Sequence, residues 1–132
     1  VLVDNKVVGK IDSGLVLFVG FTEGDDISNI NYLVNKVINL RIFPDEDGVM
    51  NKSILDYGGS ILSVSQFTLY ADTKKGNRPS YVNALKGEYS SLLYNKFNEV
   101  LGEKIHVETG IFGADMIVNI TNIGPTTIML ER

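Results

Sequence analysis

The stretch Ile61–Tyr70, reading I-L-S-V-S-Q-F-T-L-Y, limits the possible folds of this chain more than any other. Leu62 and Val64 alternate with Ser63 and Ser65, the two-residue period of a pleated strand. From Phe67 the phase reverses. Phe67 and Leu69 are now the apolar residues, and Gln66 and Thr68 stand where Leu62 and Val64 stood. A one-residue slip turns every side chain to the opposite face. A bulge or the end of pairing is therefore expected near Ser65–Gln66, and bulges re-aim groups beside active sites. Ser65, Gln66 and Thr68, with the backbone N–H groups around them, are the first candidates for chemistry. The plain alternative is a strand that ends in a polar turn.

A chain of 132 residues, 44% hydrophobic and 21% charged, suits one domain with a single core spanning 1–132. Its longest apolar run, Leu15–Phe21, is far shorter than the roughly 20 residues that cross a bilayer. No basic segment followed by an apolar one opens the chain, so no secretory signal is visible. The sequence starts at Val1 in residues that already read as strand, and a further native start ahead of it is expected. The absence of Cys excludes disulfides, thiolate zinc sites and a Cys nucleophile, and is compatible with a reducing cytosol. There is one His, His106, and no carboxylate cluster at ligand spacing, so no metal and no cofactor are expected. Asp45-Glu46-Asp47-Gly48 resembles a calcium loop only superficially: its Gly comes two positions early and no Glu follows at the right distance. It reads as a turn after Pro44. A net charge of −4 argues against a protein that coats nucleic acid, while leaving room for a local basic patch.

Val1–Val3 and Val7–Ile11 flank Asp4-Asn5-Lys6 as a hairpin. Leu15–Phe21 reads as a strand buried on both faces. Asp25 or Asp26 caps a helix in which Ile30, Leu33, Val34, Val37 and Ile38 share one face, running to about Leu40. Leu40–Phe43 is extended, and Tyr57-Gly58-Gly59 turns into the central strand. Ala71–Ser80 is a polar loop with Lys74, Lys75 and Arg78 within five residues. Those cations suit either a solvated loop or phosphate contacts. Pro79 starts a short helical piece. A longer helix spans about Glu88–Leu101, with Tyr89, Leu92, Leu93, Phe97, Val100 and Leu101 on its core face and Gly102 as its stop. Ile105–Glu108 is a strand whose His106 is either a general base or structural. Asp115–Thr121 alternates as a strand through Met116, Val118 and Ile120, and Ile128–Leu130 forms the last strand. Between these lies Asn122-Ile123-Gly124-Pro125-Thr126-Thr127. Read plainly it is a hairpin turn; read functionally, a Gly-Pro turn leaves carbonyls unpaired and presents them rigidly, and its X–Pro bond is free to be cis.

Ser65-Gln66-Phe67-Thr68-Leu69-Tyr70 and Asn122-x-Gly124-Pro125-x-Thr127 together resemble the two signature motifs of bacterial-type D-aminoacyl-tRNA deacylases. Thr73-Lys74-Lys75-Gly76-Asn77-Arg78-Pro79-Ser80 and Thr109-Gly110-x-Phe112-Gly113-Ala114-Asp115-Met116 are similar to the same family, in the same order along essentially the whole chain. Members of that family start with a further short strand ahead of the residue matching Val1.

The resemblance implies an α+β fold: a mixed, largely antiparallel sheet with two main helices packed on one side. It implies a cytoplasmic homodimer that hydrolyses the ester between a D-amino acid and the tRNA 3′ end, accepts glycyl-tRNA and spares L-aminoacyl-tRNA, with no membrane or DNA partner. Ser65, Gln66, Phe67 and Thr68 become the catalytic corner. Gly124 and Pro125, cis in the family, reach into the partner's site as the selectivity filter, supported by Asn122 and Thr127. Lys74, Lys75 and Arg78 become tRNA contacts. No Ser-His-Asp constellation is visible, so main-chain N–H groups and water, helped by the ribose 2′-hydroxyl, are preferred over a Thr68 nucleophile. Two other classes stay open: a tRNA 3′-end binding module without turnover, and a structural dimer protein in which Gly124-Pro125 merely caps an interface.

Overall fold

The computed structural model describes residues 1–132. A two-stranded hairpin opens the chain, β1 (Leu2–Val3) and β2 (Lys6–Val7), its tight turn made by Asp4 and Asn5 at positive φ. The main sheet has three strands in the order β3 (Gly14–Val19), β6 (Ser60–Ser65), β7 (Val107–Thr109). Between β3 and β6 lie α1 (Ile27–Asn39), the hairpin β4 (Phe43–Pro44) and β5 (Met50–Lys52), and the single-turn α2 (Ile54–Tyr57). Between β6 and β7 lie a 3-10 turn (Phe67–Tyr70) and α3 (Gly87–Gly102).

This corrects the expected sheet. β3, β6 and β7 are all parallel, and antiparallel pairing is left to the two small hairpins and two isolated bridges. The connections explain it. Each pair of main strands is separated by a long crossover containing a helix, which returns the chain to the same end of the sheet, so the next strand runs in the same direction. The two main helices do pack together on one face of the sheet, as expected. Ile30, Val34, Val37 and Ile38 of α1 and Leu93, Tyr94, Phe97 and Leu101 of α3 form one core with Ile54 and Ile61. Leu15, Leu17 and Val19 pack against it from β3. Full burial of side chains such as Ile54, Ile61 and Leu101 contributes about 1.5–3 kcal/mol each. The opposite face carries only Val1, Leu62 and Val64, with Val16, Ile11, Met116 and Val118 partly covering them.

Several local expectations change. β3 stops at Val19, and Phe18 on the thinly covered face is 41% exposed rather than buried. On α3, Tyr89 and Leu92 face solvent, and Tyr94 takes the inward position. Pro79 starts no helix; Ser80 instead pairs back to Asp72, with N–H···O distances of 2.8 and 2.9 Å. Asp115–Thr121 and Ile128–Leu130 form no strands: Ile117 alone pairs, with Leu2. Their alternation marks a half-buried face, but a ladder also needs a neighbouring edge, and here one bridge is all that is supplied.

α1 begins where expected. Asp26 is its N-cap, accepting from the Ser28 N–H at 2.8 Å, while Asn29 closes the reciprocal bond to the Asp26 N–H. Those bonds, chiefly from the Ser28 hydroxyl and then its N–H, hold the Asp26 carboxyl below its ordinary pKa.

Candidate active site

β6 delivers the chain to the site. Its last rung pairs Ser65 with Val19, and the Gln66 N–H donates to the Val19 carbonyl at 2.8 Å. The next residue of the neighbouring strand is Gly20. A Cβ there would sit 2.9 Å from the Gln66 carbonyl oxygen, so only glycine lets the two backbones pass this close. Beyond Gln66 (φ −144°, ψ 80°) the chain winds into the 3-10 turn Phe67–Tyr70. Pairing therefore ends where the apolar phase slips. The residues after it are a tight turn, not a strand of opposite parity.

The turn's first hydrogen bond runs from the Leu69 N–H to the Gln66 carbonyl at 3.3 Å. The N–H groups of Phe67 and Thr68 precede that bond and have no acceptor within the turn, as is general at the start of a helix. The Gln66 side-chain amide donates to the Thr68 hydroxyl. No imidazole, amine or carboxylate hydrogen-bonds to Thr68, and His106 sits instead against Glu108 at 3.1 Å. The corner thus offers main-chain donors and a buttressed hydroxyl, without a general base paired to it. No group of three or more His, Cys, Asp or Glu is placed to hold a metal ion.

Phe67 is 53% exposed, and its ring meets that of Tyr81 edge to face at 5.0 Å. Tyr81 is brought there by the basic loop, which is closed at its base by the Asp72–Ser80 pair and tightened by the Lys74 N–H donating to the Asp72 carboxylate at 2.9 Å. Lys74, Lys75 and Arg78 are exposed, and none forms an ion pair. A shallow cleft of about 290 Å³ lies between Leu69–Lys74 and Asn83. A neighbouring one of about 400 Å³ lies between Thr22 and Val82–Lys86. Tyr70 lines the first of these. Burial, followed by the nearby Asp25 and Glu131 carboxylates, pushes its phenol pKa up.

Gly124-Pro125 is a cis peptide on an exposed loop, with Gly124 at φ 127°. Asn122 braces that loop from within: its Oδ1 accepts from the Thr126 N–H and its Nδ2 donates to the Thr127 hydroxyl, both at 3.1 Å. No hydrogen bond joins residues 122–127 to Ser65–Thr68 within one chain. Sequence reasoning missed Gly20, Tyr81 and Tyr94. A Gly directly after an apolar strand was a visible signal for the first; the aromatic contacts had none.

The chain is thus an α+β domain with two free main-chain donors at a strand end and a basic loop following it. Its family is explicit: a model described as D-Tyr-tRNA(Tyr) deacylase matches residues 1–131, and the chain belongs to that family of hydrolases acting on D-aminoacyl-tRNA. Among solved structures it is similar to one described as c-Myc DNA Unwinding Element Binding Protein. The two are 37% identical over 99% of this chain and 90% of that one, with a TM-score of 0.93.

Proposed function

We propose that this chain removes D-amino acids from tRNA in the cytoplasm, and glycine as well, by a mechanism run almost entirely by main chain. The N–H groups of Phe67 and Thr68 hold the ester carbonyl and the oxyanion that forms when water adds to it. Water attacks the carbonyl carbon, and the bond from that carbon to the ribose oxygen breaks. A proton from the water, relayed by the terminal 2′-hydroxyl, ends on the leaving oxygen, giving free amino acid and tRNA. Losing one oxyanion donor typically costs about 3–4 kcal/mol of barrier, ample for an activated ester. Ser65 and Gln66 fix the corner, and Thr68 braces it through Gln66. Lys74, Lys75 and Arg78 meet tRNA phosphates.

Selectivity in this reading comes from a second copy. Gly124-Pro125, held by Asn122 and Thr127, enters the partner's corner and puts carbonyls where an L side chain would go. A hydrogen fits there, which accounts for glycine. Support comes from the loop's exposure and internal bracing, and from the apolar side chains around it. Ile117, Ile123 and Met129 are 59, 86 and 74% exposed, a face that a homodimer would cover. The single observation that carries the reading is the pair of main-chain donors opening the turn at Phe67, without a side-chain base beside them.

A binding module for the tRNA 3′ end is the second reading, favoured by that same lack of a base. Incubation with D-aminoacyl-tRNA separates the two. Release of free D-amino acid is expected, whereas salt-sensitive binding with the ester left intact would mean a binding module.

A further inference from the structure

Ser63 is fully buried in β6, two residues ahead of Ser65. Its carbonyl accepts two hydrogen bonds, one from the Tyr94 hydroxyl at 2.9 Å and one from the Gly110 N–H at 3.2 Å. The Gly110 bond continues the β6–β7 ladder just past its last pair, Ser63 and Thr109. Tyr94 itself is 3% exposed in the middle of α3, and its ring lies 6.0 Å from that of Phe112. One side chain therefore touches three things: the helix that carries it, the strand end feeding the corner, and the Gly110–Gly113 loop.

A leucine would fill the same core position without a polar atom to satisfy. A buried phenol is tolerated because its hydroxyl has a partner. That partner is the Ser63 carbonyl, the last of β6 held from the β7 side, and the Ser63 hydroxyl in turn donates to the Tyr94 oxygen at 3.5 Å. On the β3 side the ladder continues as far as Gln66. We propose that Tyr94 is a positioning residue for the Ser65–Thr68 corner: its hydroxyl pins the Ser63 carbonyl and so fixes where the Phe67 and Thr68 N–H groups point. The proposal rests on the deacylase reading for its consequence in rate, because donors misplaced by a fraction of an ångström stabilise an oxyanion poorly.

Tyr94→Phe keeps the ring and its contact with Phe112 and removes only the hydroxyl. On D-aminoacyl-tRNA, kcat is expected to fall about tenfold with KM within about twofold, because the basic loop is untouched. Ile38→Val, a core change on α1, is the stability control: it lowers Tm as well and leaves kcat unchanged. Hydrogen exchange of the peptide covering Ser63–Tyr70 reads the anchor without turnover, and is expected to be faster in Tyr94→Phe than in Ile38→Val. If the unmodified protein proved inactive on D-aminoacyl-tRNA, the deacylase reading would fall and exchange alone would decide the anchor. Exchange in this peptide no faster than in the control, or an active Tyr94→Phe enzyme with unchanged kcat, overturns the proposal.

Discussion

In the proposed mechanism Phe67 contributes through its backbone and Thr68 through its side chain, and substitutions separate the two. Proline at the first position of a helical turn keeps a φ it already favours and has no N–H to give. Phe67→Pro is therefore expected to fold and to lose about 10²–10³ in kcat on D-aminoacyl-tRNA relative to Phe67→Ala, which loses the same ring contact with Tyr81 but keeps the donor. Thr68→Ala is expected to retain activity within about tenfold, since its hydroxyl accepts from Gln66 and has no base to activate it. A Thr68→Ala protein that folds and dimerises but works no faster than water would make Thr68 the nucleophile. Gly20→Ala would press a methyl against the Gln66 carbonyl. A loss of about 1–3 kcal/mol in stability, read from denaturant unfolding, is the expected result.

Elements were legible where a local signal fixed them. The Asp26 cap, the apolar face of α1 and the break after Ser65 each follow from side chains within a few residues of one another. Strand direction was misread, although the helices between the strands were visible. The β3–β6 and β6–β7 pairs are parallel because helices intervene, and alternation within a strand says nothing about its partner. The segment from Asp115 to Leu130 shows the same limit: Met116 and Val118 alternate properly and pack on Val1, Leu62 and Val64, yet only Ile117 pairs. At the site, the phase slip located the corner, but which N–H groups lack an acceptor depends on how the turn winds. Tyr94 stands three residues before Phe97 and seven before Leu101, so its spacing marked it as inward, but the buried carbonyl its phenol meets had no local signal. The Asp26 cap also sets a pH dependence. Its folded pKa is lowered, so its stabilisation is complete above the ordinary carboxyl range and is lost as pH falls through the lowered value. Asp26→Ala should lower Tm at neutral pH, with the gap to the unmodified protein narrowing in acid.

Across the whole molecule, charge and apolar surface are unevenly placed. The net charge is −4, yet Lys74, Lys75 and Arg78 fall within five residues of one another in the exposed loop that follows the corner. Replacing any one of them by Ala should weaken tRNA binding and make the salt dependence shallower by about 0.7–0.9 in the slope of log K against log salt. A slope unchanged in all three variants would remove the loop from the tRNA interface. Ile117, Ile123 and Met129 are exposed on one chain, and a second copy covers them in the proposed dimer. In the proposed dimer the selectivity comes from the partner's Gly124-Pro125 entering the Ser65–Thr68 corner. The direct measurement is hydrolysis of the same tRNA carrying a D-amino acid, its L enantiomer or glycine, at equal enzyme concentration. Rapid release of the D-amino acid and of glycine is predicted, with the L ester decaying only at its spontaneous rate. Release of the L-amino acid as fast as the D form would contradict a backbone filter for handedness.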